Sequence, residues 1–170
     1  MSAYEARHPT GSKERLFKVA FDLPEEASEW PPVSTERLWT EKTDIKFEAR
    51  VLNTPFFVRG ISWGDVIRVR ADHARRELVF EEFMAESGHS TAHIILMDLS
   101  IQKMIEDTFA TAGCSWETSG IESYMAIDIP PATHYGDLRG QLLEMKGSKL
   151  IGVQESAISR LHRGQLSEFP

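Results

Sequence analysis

Two histidines and two serines crowd the segment Ser87-Gly88-His89-Ser90-Thr91-Ala92-His93, the densest run of reactive side chains in the sequence. His89 and His93 are four apart, a spacing that presents two imidazoles to one metal ion when it falls on a helix. Here the segment reads as loop running into strand, where residues four apart are separated by roughly 13 Å. No cysteine or carboxylate cluster completes a set of ligands, so no metal is expected. Ser90 beside His89 raises a serine nucleophile with a nearby base. A nucleophile elbow, however, places glycine on both sides of the serine at a strand-to-helix turn, and this segment runs in the opposite order. The plainer reading is that Ser90 and Thr91 tie down a turn while His89 packs at a junction. Asp65, His89 and Ser90 together mark an expected crevice between two halves of the chain. With no Gly-rich phosphate loop and no GxGxxG, no cofactor is expected.

The loop Asn53 to Asp65 (NTPFFVRGISWGD) is the most unusual stretch. Phe56, Phe57, Val58, Ile61 and Trp63 form a dense apolar cluster among Pro and Gly. Aromatic residues beside an arginine such as Arg59 are typical anchors of a protein interface. The competing reading is that they plug the core of a small sheet that lacks helices to cover it. Acidic residues form a second candidate surface: Glu77, Glu81 and Glu82 lie along one strand, and Glu25, Glu26 and Glu29 crowd an early loop. They offer a negative face to a basic partner, or a solvated edge that resists strand-to-strand aggregation.

The elements that position these groups divide in two. Residues 1–14 read as a flexible arm. Leu16 to Asp22, Arg37 to Glu41, Ile45 to Val51, Ile67 to Ala71 and Glu77 to Met84 read as short strands, the last two forming a hairpin about Asp72 to Arg76. Ile45, Phe47, Ala49 and Val51 alternate with polar residues, the mark of a half-buried strand. Five strands at this spacing predict a small bent antiparallel sheet or open barrel over residues 15–86.

Residues 87–158 have the rhythm strand, helix, strand, strand, helix, strand, which is the ferredoxin-like arrangement. Asp98 or Ser100 caps the first helix and Gly113 stops it. Ile101, Met104, Ile105, Phe109 and Ala112 share one face. Met125, Ile127 and Ile129 alternate along a strand that Pro130 and Pro131 end. A second helix spans about Thr133 to Met145, with Tyr135, Leu138, Leu142 and Met145 on one side. Gly136 and Gly140 weaken it by roughly 1 kcal/mol each relative to alanine. Residues 159–170 read as a polar surface tail. The expected class is α+β, a small bent sheet followed by a ferredoxin-like unit.

Composition excludes several functions. The 170 residues carry a formal net charge of −7, which opposes binding to a phosphate backbone, so no nucleic acid is expected. No run approaches eighteen apolar residues, so no membrane span is expected. The first fifteen residues lack the apolar core of a secretory signal. The single cysteine, Cys114, permits no intramolecular disulfide and suits a reducing cytoplasm.

The segments NTPFFVRGISWGDVIRVR, ESGHSTAHI, GCSWE and AIDIPP resemble those of a bacterial family, domain of unknown function 4265, over roughly residues 16–158. The resemblance implies bacterial origin and carries over no catalytic residue. The expectation is a non-catalytic protein-binding protein. One form of it is an immunity protein whose acidic face and aromatic loop mask a basic toxin domain. The alternative is an enzyme or small-ligand sensor that uses the crevice.

Overall fold

The computed structural model describes residues 15–26 and 29–166; the expected arm at 1–14 and the end of the expected tail at 167–170 lie outside them. The chain divides into two compact units between Ser87 and Gly88. Its class is α+β, with one five-stranded and one four-stranded sheet and three helices among the described residues.

The first unit is a meander of β1 (Leu16–Asp22), β2 (Thr35–Lys42), β3 (Glu48–Val51), β4 (Val66–Asp72) and β5 (Glu77–Ala85), in which each strand pairs antiparallel with the next. An odd number of strands in a meander leaves the first and last parallel. Two residue pairs between them, Val19 with Leu78 and Ala20 with Val79, complete a ring. Alternate residues point inward, so Val19, Phe21, Leu38, Ala49, Val51, Ile67 and Val69 form its core. Val58 and Ile61, from the loop before β4, join that core as the plug a small sheet requires.

The strand expected from Ile45 begins only at Glu48. Thr43 Oγ1 accepts from the Ile45 amide at 3.2 Å, and Glu48 N–H donates to Ile45 O at 3.1 Å. Phe47 takes a φ of 65°. This side-chain-closed turn replaces the expected alternation and leaves Ile45 and Phe47 exposed.

The second unit runs β6 (Ser90–Leu96), α1 (Gln102–Thr111), β7 (Ser115–Thr118), β8 (Tyr124–Ile129), α2 (Tyr135–Gly147), β9 (Ile151–Ala157) and α3 (Arg160–Leu166). The sheet order is β7-β8-β6-β9, every neighbour antiparallel. Helices α1 and α2 therefore each cross between strands separated by one inserted strand, which is the split βαβ of the ferredoxin-like fold. Ala92, Ile94, Met125, Ile127 and Ile129 meet Ile105 and Phe109 of α1 and Leu138 and Leu142 of α2 in one core. Asp98 accepts from Ser100 N–H at 2.8 Å at the start of the first helical turn. Past α1, Gly113 has a φ of 79°, the left-handed conformation glycine adopts without strain. Residues 160–166, expected within a polar tail, form a helix that buries His162 completely.

Candidate functional site

The loop over residues 53–65 is held at both ends by carboxylates. Glu36, on β2, is 6% exposed. Its Oε1 accepts from Phe56 N–H at 2.7 Å, and its Oε2 accepts from Phe57 and Val58 N–H at 2.9 and 2.8 Å. Three amides replace the water that a buried carboxylate loses, and the loop backbone gains the partners it would otherwise lack. At the far end Asp65 accepts from Ser62 N–H and from Ser87 N–H, both at 2.8 Å, while Ser87 Oγ donates to Trp63 O at 2.6 Å. Burial raises the Asp65 pKa and the two amides oppose that rise. Asp65 is thus a clamp on its own loop.

The expected partner-binding set separates on this frame. Phe56 is fully buried and closed to an approaching partner. Phe57 is partly buried and meets Trp30 edge-on, ring centroids 5.6 Å apart. Arg59 stands in solvent and pairs with Glu26 at 2.5 Å, and Trp63 is 38% exposed. Glu36 lies one residue before the strand expected from Arg37, so the sequence pattern leaves it in the preceding loop. Extended back to Thr35, the alternation Glu36, Leu38, Thr40 aligns the carboxylate with the interior.

The acidic strand is not a surface of one sign. Glu77 accepts from Arg37 Nε at 2.9 Å and from Arg75 Nε at 2.7 Å; Arg75 continues to Asp22 at 2.8 Å, and Glu82 pairs with Arg68 at 2.9 Å. The hydrogen bond from Arg37 holds the Glu77 carboxyl below its ordinary value, with Arg75 adding to it. Glu81 is exposed on the same strand. The surplus of negative charge is heavier elsewhere, since residues 88–170 contain ten Asp and Glu against six Lys and Arg.

In the second unit, His89 and Ser90 diverge. His89 Nδ1 lies 2.8 Å from Asp128 Oδ1 of β8, a pair largely shielded from solvent. Burial raises the Asp128 pKa and the His89 contact opposes it. Ser90 points to the helix side of the sheet instead. Its Oγ lies 2.6 Å from His162 Nδ1 and accepts from Ser159 N–H at 2.9 Å. Both residues are fully buried, and among the described residues His162 Nε2 makes no hydrogen bond of ordinary geometry. A serine nucleophile needs an imidazole oriented by a third group and open to substrate; this pair closes α3 onto the sheet. His93 is also buried, with Nδ1 3.0 Å from Gln154 Oε1, so it faces no shared ligand with His89. Cys114 is buried, and burial pushes its thiol up to about 11.

No helix among the described residues is long and apolar enough to cross a membrane. The family model described as "Domain of unknown function (DUF4265)" matches residues 36–152. A search of the curated proteins finds no match. Among solved structures, the chain is similar to one titled "Novel crystal structure of a hypothetical protein from Neisseria gonorrhoeae". The TM-score is 0.66 at 15% identity, over 84% of this chain and 96% of that one. That likeness bears on the fold.

Proposed function

The chain belongs to the family defined by domain of unknown function 4265, and we propose that it is a non-catalytic binding protein acting on a protein partner. One observation carries the reading. Glu36, Asp65, Ser90 and His162 direct their polar atoms at the loops and helix they close, while Arg59 and Trp63 stand at the surface of a doubly clamped loop. A rigid loop presents an aromatic and an arginine with little ordering cost on binding, the requirement for an interface anchor. The net charge of −7 favours a basic partner and a fast, salt-sensitive encounter. An immunity protein that masks a basic toxin domain in the cytoplasm is the specific form of this proposal.

Calorimetric titration of the purified chain with the proteins encoded beside its gene tests it. Binding that weakens with salt and is lost in Arg59→Ala and Trp63→Ala supports the reading; the absence of binding to every neighbour argues against it.

The His89–Asp128 contact favours a second reading. A carboxylate on Nδ1 orients an imidazole for general-base work at its other nitrogen. A metabolite screen by thermal shift addresses it, since a ligand specific for the native state raises the melting temperature. A hit that disappears in Asp128→Asn would favour this reading over the first.

A further inference from the structure

Helix α2 is buried through Tyr135, Leu138 and Leu142, and a second face points the other way. Gly136, Gly140, Leu143 and Gly147 recur at spacings of four, three and four, which places them on one stripe. Leu143 is 42% exposed and lines an open groove with Gly136, Gly140 and Leu166 of α3. Packing among the described residues gives no reason for two of the three glycines, Gly140 and Gly147. A Cβ at Gly140 or Gly147 would meet nothing within 4 Å beyond its own stretch of helix, and alanine is the better helix former at such a position.

The charges beside this face identify its occupant. Arg139 and Lys146 flank it on one side, Asp137 and Glu144 on the other. In heptad terms Gly136 and Leu143 take position d, Gly140 and Gly147 position a, the two bases position g and the two acids position e. Parallel packing of two such helices about a two-fold axis sets the g row of each against the e row of the other, and Arg139 then reaches Glu144 five residues on. Antiparallel packing opposes g to g and e to e, so like charges meet. We infer that this face of α2 is a self-association surface, and that its occupant is α2 of a second copy of this chain, packed parallel. The glycines let the two backbones approach, and the Leu143 side chains meet across the axis. Arg139 Nε donates to Glu155 Oε1 at 2.6 Å, which fixes the guanidinium stem at the edge of the face. The surface belongs to the second unit and Arg59 and Trp63 to the first, so this inference does not rest on the binding role proposed above.

Analytical ultracentrifugation of the full chain over a concentration series tests it. A reversible monomer–dimer equilibrium is expected. Glu144→Arg sets two like charges together and raises the dimer dissociation constant by roughly tenfold or more. Gly140→Ala weakens association while raising the melting temperature of the monomer. Leu143→Cys cross-links under mild oxidation, because residue 143 meets its own counterpart on the axis, whereas Cys114 is buried. A chain that sediments as a monomer at every concentration overturns the inference. So does a dimer that is indifferent to Glu144→Arg, or one in which Leu143→Cys fails to cross-link.

Discussion

Ser90 and His162 are 72 residues apart in the chain, yet Ser90 Oγ lies 2.6 Å from His162 Nδ1 within a wholly buried contact. Ser90 Oγ also accepts from Ser159 N–H at 2.9 Å and donates to Ser159 Oγ at 3.4 Å, so one hydroxyl ties the start of α3 to β6. Burial is the main influence lowering the His162 pKa from 6.5. The carbonyls of Pro130 and Thr133 pull it upward, and nearby His89 and His134 push it down again.

The sign of the pH dependence follows. The unfolded chain takes up this proton more readily than the folded one, so the stability contribution is complete above 6.5 and is lost as pH falls below that value. Melting temperature should fall between neutrality and about pH 5, with amide exchange accelerating first in α3. His162→Gln should flatten that slope. The raised carboxyls Asp65 and Asp128 act in the opposite direction and lower on the pH scale, near and above 3.8. An unchanged slope in His162→Gln would refute the assignment.

Glu36 carries the second prediction. Glu36→Ala leaves the amides of Phe56, Phe57 and Val58 without their carboxylate in a buried loop. The loss should be roughly 3 kcal/mol or more, since hydrogen bonds to a buried charge are each worth about 1.5–3 kcal/mol. Glu36→Gln retains one acceptor oxygen and should fall between alanine and the wild type. Denaturant midpoints at constant slope measure all three.

The ferredoxin-like unit was legible because its signals are local. Asp98 and Gly113 bracket α1, and Met125, Ile127 and Ile129 alternate along a strand that two prolines end. Local periodicity failed where side-chain chemistry overrode it. Thr43 closes a turn onto Ile45, and residues that alternate as a strand bend away. The Ser90–His162 contact was not legible, because no local pattern encodes a pairing across that separation. His162 also sits in a seven-residue helix whose single buried side chain is polar, so hydropathy gave α3 no mark. The loop over residues 53–65 is unusual in composition, and burial, which composition does not encode, divides it between plug and anchor: Val58 and Ile61 are core, and Trp63 is surface.

Cys114 should be nearly inert. A thiol at about 11 against an ordinary 9.0 holds about a hundredth of the usual thiolate at mildly alkaline pH. Burial of the sulfur slows attack further. Iodoacetamide should label the native chain at least about 100-fold more slowly than the chain in denaturant. Equal rates would mean that the region around Cys114 opens readily.

Phe56 and Trp63 divide the two uses of their loop, and the same substitution separates them. Phe56→Ala removes a fully buried ring from beneath amides that Glu36 holds, and should cost about 3–5 kcal/mol of stability. Trp63 is 38% exposed, so Trp63→Ala leaves a smaller void and should cost well under that amount. Under the proposed binding role the order reverses for the partner: Trp63→Ala should weaken the complex by at least about 2 kcal/mol, the scale of an interface anchor. Any Phe56→Ala loss should instead track the fraction of chain that remains folded. Denaturation and calorimetric titration on the same two variants measure both orders. A Trp63→Ala variant that binds at full affinity would remove the anchor from the proposal and move the search for the interface to the more acidic second unit.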